Sequence, residues 1–222
     1  MKTQIDGDAR EDRIVAAIVG LAVGDALGYP HEFRTTAQVK KEIGPEGITD
    51  FVRLKDPRFS RPYIAGTDHP PGTFTDDTQM SIALAEALIS HGATRGEGGH
   101  EALMRETARR FVDWYFSDEN DRSPGAATGS ACEKLRDGVS WQEAGTKDSK
   151  GAGANMRVVP VGLFYEHLDE VERVAREQAL DVVVASERSG DHARRALKDR
   201  ARLNARGALD VFRRRVRATD ER

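Results

Sequence analysis

Every long apolar segment of this chain repeats its apolar residues at three- and four-residue steps. None shows the sustained apolar-polar alternation of a half-buried strand. The first such segment is 12–28, where Ile14, Ala17, Ile18, Leu21 and Ala22 share one face with Asp25. Gly20, Gly24 and Gly28 recur every fourth residue on a neighbouring stripe. A glycine weakens a helix by roughly 1 kcal/mol relative to alanine. Three in register therefore predict close approach of another backbone or a ligand, or else tight helix packing.

The same period predicts helices over 76–90, 101–117, 126–137 and 168–180. Their inward faces are Met80, Ala83, Leu84, Ala87 and Leu88; then Leu103, Ala108, Phe111, Val112 and Tyr115; and finally Val171, Val174 and Leu180. Gly92 and Gly138 follow two of these segments as stops. Met156 to Tyr165 fits helix or strand by periodicity, but Pro160 argues against a central strand and suits a helix's first turn. Residues 29–74, punctuated by six prolines, read as loop, with a turn of helix expected between Glu42 and Phe51. So long a loop is uncommon unless it is functional or hides short elements. The expected fold is all-α.

At 222 residues the chain is long enough for one domain, or one domain with an appendage. Apolar residues are 38% and charged residues 32%, so its core must be thin or locally concentrated. The net charge of −3 gives no general attraction to nucleic acid, and no nucleic-acid partner is expected. The single cysteine, Cys132, excludes an intrachain disulfide, fits a reducing compartment, and is expected to be buried in a helix. Met1 to Arg13 is polar, unlike a signal peptide. The longest apolar stretch, Ile14 to Tyr29, falls short of the ~18 residues of a membrane span and contains Asp25. A cytoplasmic location without membrane contact is expected. Charge divides the chain: 181–222 holds 12 basic and 7 acidic residues, against 22 and 30 in 1–180. That composition step sets the expected division at 180, with an Arg-rich tail that is helical or partly disordered.

Three runs can carry chemistry. Thr75-Asp76-Asp77-Thr78 opens the second helix. Thr75 can cap it, and acids at its positive end are favoured by ~0.3–1 kcal/mol each. The same run can instead bind a hard cation, because Mg²⁺ and Mn²⁺ prefer oxygen ligands. Gly24 to Glu32 places Asp25 within an apolar face and Glu32 just past the helix end. Asp25 reads as a structural acid or a site acid, and Glu32 as a surface acid or a site acid. Lys150 to Arg157 places Gly151 and Gly153 before a helix, where free backbone N–H groups suit phosphate, or where the loop is merely flexible. His31, His69, His91, His100, His167 and His192 show no zinc-ligand spacing.

Together these runs resemble the ADP-ribosylglycohydrolase family. The resemblance lies in Gly24-Asp25-Ala26-Leu27-Gly28 with Glu32, in Gly72 through Met80, and in Asp148 through Leu163, in that order, and covers about 12–180. It implies an all-α bundle holding two ions, Mg²⁺ or Mn²⁺, that removes ADP-ribose from modified side chains or related acceptors. By the resemblance, Thr75, Asp76, Asp77 and Glu32 are metal ligands, and Glu32, Asp76 and Asp77 are the catalytic acids. Gly151, Gly153, Asn155 and Met156 belong to the ADP-ribose pocket. The implied partner is an ADP-ribosylated protein or an ADP-ribose-containing small molecule.

The family's second acidic motif, Asp-x-Asp-Thr, has no counterpart after Leu180; the nearest string is Gly190-Asp191-His192-Ala193. The chain is accordingly expected to be a C-terminally truncated member, with an altered reading frame beyond Leu180. Two alternatives to an active hydrolase stand at this point. One is a catalytically impaired remnant that binds ADP-ribose or metal. The other is an interaction module whose basic tail docks on an acidic partner.

Overall fold

The computed structural model describes residues 7–58, 68–94, 96–145 and 153–180. The tail expected over 181–222 lies outside them, as does Gly151. Among the described residues the regular structure is entirely helical. In order these are α1 (Gly7–Gly28), a 3-10 turn (Tyr29–His31), α2 (Thr36–Ile43), α3 (Asp76–His91), α4 (Glu97–Tyr115), α5 (Ala126–Arg136), α6 (Trp141–Ala144), α7 (Gly153–Met156), α8 (Val159–Phe164) and α9 (Leu168–Leu180).

Helix α3 is the axis of the fold. Its long flank lies on α4, with α1, α7 and α8 against its other sides. The apolar face expected for it is buried in full: Met80 and Leu84 are wholly inaccessible, and Ala83, Ala87 and Leu88 nearly so. Leu103, Met104, Phe111 and Trp114 from α4, Ala131 and Cys132 from α5, and Val161, Val171 and Val174 complete the core. Cys132 sits there as expected, its thiol donating to the carbonyl of Phe111. Gly129 lets α5 close on α4: a Cβ there would stand 2.5 Å from the Tyr115 hydroxyl.

One buried cation ties the later helices to this core. Arg157 follows α7 and is fully buried. Its Nε donates to Gln178 Oε1 (2.7 Å) and its Nη2 to the Gln178 carbonyl (2.8 Å). Its guanidinium lies 4.6 Å from the centre of the Phe111 ring. Gln178 in turn donates to the carbonyls of Ala154 and Ala175 (3.1 and 3.0 Å). Thus α9, α7 and α4 meet at one hydrogen-bonded residue, and Arg157 and Gln178 are both hydrogen-bonded in the interior.

Several expectations need correction. The helix of the 29–74 segment is α2, earlier than the expected Glu42–Phe51. Thr35 and Gln38 form a reciprocal capping box that starts it, and Gly44, at φ 127°, ends it. The ambiguous Met156–Tyr165 segment is helical, and Pro160 occupies the first turn of α8, where its missing N–H loses nothing. Helix α6 was not anticipated, because four residues carry too little periodicity. Helix α1 begins five residues earlier than expected. By length and composition alone it is long and apolar enough to cross a bilayer, contrary to the estimate from the apolar stretch. It lies against α3 and α8, and its predicted inner face is only half-buried, with Ile14 exposed. Among the described residues its glycine stripe meets nothing: a Cβ built at Gly20, Gly24 or Gly28 has no neighbour within 4 Å.

Candidate active site

The N-terminus of α3 is built by two chain segments fifty residues apart. Thr75 caps α3, its hydroxyl accepting from the Asp77 N–H at 3.3 Å. The stronger anchor is Asp25, one turn before the end of α1. Its carboxylate accepts from the Thr75 N–H (2.8 Å) and hydroxyl (2.8 Å), and from the Thr78 N–H (3.2 Å) and hydroxyl (2.6 Å). A charged acceptor thereby satisfies donors that a helix start leaves open. Asp25 therefore acts as a structural acid, the first of the two readings its sequence position allowed. It is also the reason the Thr75–Thr78 run keeps a fixed orientation.

Asp76 and Asp77 follow directly. Asp76 is buried and its N–H donates to the Arg122 carbonyl at 3.3 Å. Burial, then the charges of Asp77, Asp25 and Glu32, push its carboxyl up to about 7. Burial, then Asp25 and Glu32, push Asp77 up to about 6. Four carboxylates thus act on one another at the start of α3, and the helix's positive end does not offset them. Glu32 itself is exposed on the strand of loop leaving the 3-10 turn.

Of the expected pocket residues, Gly153, Asn155 and Met156 form α7, which lies against α3. Ser81, one turn after Asp77, donates to the Asp77 carbonyl (2.7 Å) and reaches the Met156 carbonyl (3.5 Å). Met156 is therefore brought beside the acid run. Gly153 stands near α5, with its Cβ position 3.8 Å from the Thr128 hydroxyl.

A second polar chain borders the site and was not foreseen. His69 is buried; its Nδ1 pairs with the Tyr29 hydroxyl (3.1 Å) and its Nε2 with Asp121 (3.2 Å). Tyr29 also meets the Ser123 hydroxyl at 3.2 Å. The Arg122 guanidinium covers the Phe74 ring at 5.1 Å, and Gln79 donates to the Glu119 carbonyl at 3.0 Å. These contacts fasten the 117–123 loop and the 68–75 loop around the start of α3. Zinc-type histidine spacing does not single out His69, whose partners are a phenol and a carboxylate distant in sequence.

The donor chemistry suits a hard dication: oxygen ligands only, with two carboxyls raised to about 7 and about 6 by burial and then by neighbouring carboxylates. The donor count is smaller than such an ion needs. Among the described residues no three His, Cys, Asp or Glu side chains converge closely enough to hold a metal. A cavity of about 350 Å³ lies elsewhere, at the C-terminal end of α3, lined by His91, His100, Tyr165 and Arg173 among others. There His100 pairs with Glu177. The sixteen residues of α3 put that cavity roughly 20 Å from Asp76, so it belongs to a different region.

The family model for ADP-ribosylglycohydrolase matches residues 6–185. A protein of Archaeoglobus fulgidus is 34% identical over 170 residues, which make up 76% of this chain and 48% of that protein. The ADP-ribosylarginine hydrolase Tri1 of Serratia proteamaculans is 32% identical, over 69% of this chain and 37% of its own length. The ADP-ribosyl-(dinitrogen reductase) glycohydrolase of Rhodospirillum rubrum is 29% identical, over 71% and 46%. The chain thus spans about half the length of the curated relatives it matches, or less.

Proposed function

The chain belongs to the ADP-ribosylglycohydrolase family, and we propose that the start of α3 is one side of a site that hydrolyses the glycosidic bond of ADP-ribose on a modified protein side chain. The observation that carries this reading is the pair Asp76 and Asp77, raised to about 7 and about 6 by burial and by neighbouring carboxylates. Purely structural acids at a helix start are ordinarily exposed and uncrowded; here Asp76 is buried, Asp77 is half-buried, and both stand among other carboxylates, as groups awaiting a cation do. Asp76, Asp77, the Thr75 hydroxyl and Glu32 are the oxygen donors this region offers Mg²⁺ or Mn²⁺, which would have to draw them closer together and complete its shell from elsewhere. When bound, such an ion orients ribose hydroxyls and lowers the pKa of a water.

The chain's own residues perform the remaining tasks. Asp25 fixes the direction of Thr75 and Thr78, and through them of the two aspartates. The ionised carboxylates place negative charge where an oxocarbenium-like centre develops, which favours breaking the bond to the anomeric carbon. Glu32, exposed at the rim, accepts the proton of the attacking water. Gly153, Asn155 and Met156 line the side where the nucleotide part of the substrate enters. ADP-ribosylated arginine is the first substrate to test, because two relatives, the hydrolases from Serratia and Pseudomonas, are named for it.

The test is release of ADP-ribose from an ADP-ribosylated arginine peptide with Mg²⁺ or Mn²⁺ present. Turnover that Asp76→Ala and Asp77→Ala each abolish supports the proposal. Absence of turnover by the unaltered chain favours a second reading, a catalytically impaired member that binds ADP-ribose or one metal ion. That reading has its own support: the described residues supply too few converging ligands, and the chain covers under half of the relatives cited. Calorimetric titration with Mn²⁺ separates them further, with tight binding expected for the hydrolase and at most weak binding for the remnant.

A further inference from the structure

Helix α7 is four residues long, and a helix so short does not hold its shape unaided. Two neighbours hold it from different sides. From α3 the Ser81 hydroxyl reaches the Met156 carbonyl at 3.5 Å. From α9 the fastening runs through one side chain, Gln178, which is 1% accessible. Its amide nitrogen donates to the Ala154 carbonyl (3.1 Å) and to the Ala175 carbonyl (3.0 Å), and its Oε1 accepts from Arg157 Nε (2.7 Å). Both donor hydrogens and the oxygen are thus engaged, and only one orientation of the amide serves. Turned over, its NH₂ would face a guanidinium and its oxygen two carbonyls. Ala154 and Arg157, three residues apart, share the buried side of this segment. Gly153 and Asn155 remain half-buried, on the side left open.

So deeply buried a side chain meets no ligand itself, and whatever Gln178 contributes to binding passes through α7. We propose that Gln178 is a positioning residue for the nucleotide side of the pocket: through the Ala154 carbonyl it sets the direction in which Gly153 and Asn155 are presented. This rests on the reading that α7 lines the ADP-ribose pocket. The acid run has a separate anchor in Asp25. The two sides of the site are therefore set independently, one from α1 and the other from α9. A change at Gln178 alters affinity for ADP-ribose and leaves the start of α3 in place. A segment that is correctly presented for only a fraction of the time raises the apparent Kd by the reciprocal of that fraction.

The experiment compares the full chain with its Gln178→Glu and Gln178→Met variants. Glutamate keeps an acceptor for Arg157 and turns the Ala154 contact into oxygen against oxygen. Methionine fills the space and removes both bonds. It also deprives a buried guanidinium of an acceptor and lowers stability, so glutamate is the deciding variant. Calorimetric titration with ADP-ribose in the presence of Mn²⁺ is read together with amide exchange along the chain. With Gln178→Glu the Kd for ADP-ribose rises on the order of tenfold, the scale of one lost hydrogen bond. Exchange at Asn155 and Met156 quickens, while Asp77, Thr78 and Leu88 are unchanged. Affinity equal to that of the unaltered chain overturns the proposal and leaves the reading of α7 standing. Loss confined to Gln178→Met also overturns it, since Arg157 rather than Ala154 would then be the link. Exchange that quickens everywhere alike overturns it as well, because Gln178 would then be a packing residue only. Absence of ADP-ribose binding by the unaltered chain is the distinct result that removes the reading of α7, and this proposal with it.

Discussion

Helix α3 buries Met80, Leu84 and Leu88 almost completely, while α1, which is longer and at least as apolar, leaves Val15, Val19 and Val23 open. Both were read from the same periodicity. What separates them is not pattern but company: among the described residues α3 is surrounded by α1, α4, α7 and α8, whereas α1 lies mainly against α3 and α8. A helix's sequence reports which faces can be buried, and only its neighbours determine which are.

The contrast is open to direct attack. Replacing Leu84 by Ala should lower the unfolding free energy by about 2–5 kcal/mol, because it opens a cavity in a fully packed site. Denaturant unfolding measures this; a small loss would mean that α3 is not the packed axis described. Asp25→Ala should lose about 2 kcal/mol, since Thr75 and Thr78 would each lose a charged acceptor. It should also loosen the start of α3, visible as faster amide exchange at Asp77 and Thr78 but not at Leu88.

The acid run predicts a pH effect of definite sign. In the folded chain Asp76 holds its proton up to about 7 and Asp77 up to about 6, against about 4 when unfolded. Between about pH 4 and 7 the folded state therefore binds more protons, so without divalent cation its stability falls as pH rises through that window. Asp76→Asn should relieve part of that fall, raising stability by about 1–2 kcal/mol at pH 8 and leaving it unchanged at pH 3. Thermal melts in chelator check both ends. A variant equally stabilised at both pH values would refute the electrostatic origin. The smallest effect belongs to α1: Val19→Ala should change stability by less than about 0.5 kcal/mol. A loss comparable with Leu84→Ala would show that the valine ridge is already packed, and the contrast between the helices would collapse.

The fold class and most helix cores were legible because a 3.6-residue period survives in segments of a dozen residues or more. Thr75 as cap, Cys132 as a core residue and Pro160 in a first turn were legible because each obeys a local rule. Shorter pieces were not: α6 spans four residues, and α2 is set by the Thr35–Gln38 box rather than by a buried face, having no buried residue. At the site, the aspartates stood out as a run, and their neighbours did not. The Tyr29–His69–Asp121 chain joins three distant segments, and Arg157 is buried through partners twenty or more residues away. No spacing rule connects such residues; only the folded chain does.

The long segment between Glu32 and Phe74 is held at its base twice, by Asp25 on Thr75 and Thr78 and by Tyr29 on His69. That double fastening uncouples the outer loop from the acid run at the start of α3. Lengthening a loop whose ends are already held together adds only about 0.6 kcal/mol for each doubling. Residues beyond the two clasps can therefore be exchanged, extended or rebuilt like a cartridge, while the acids stay in register. In a lineage or in a design series, change in that stretch would leave the packing of α3 beneath it untouched.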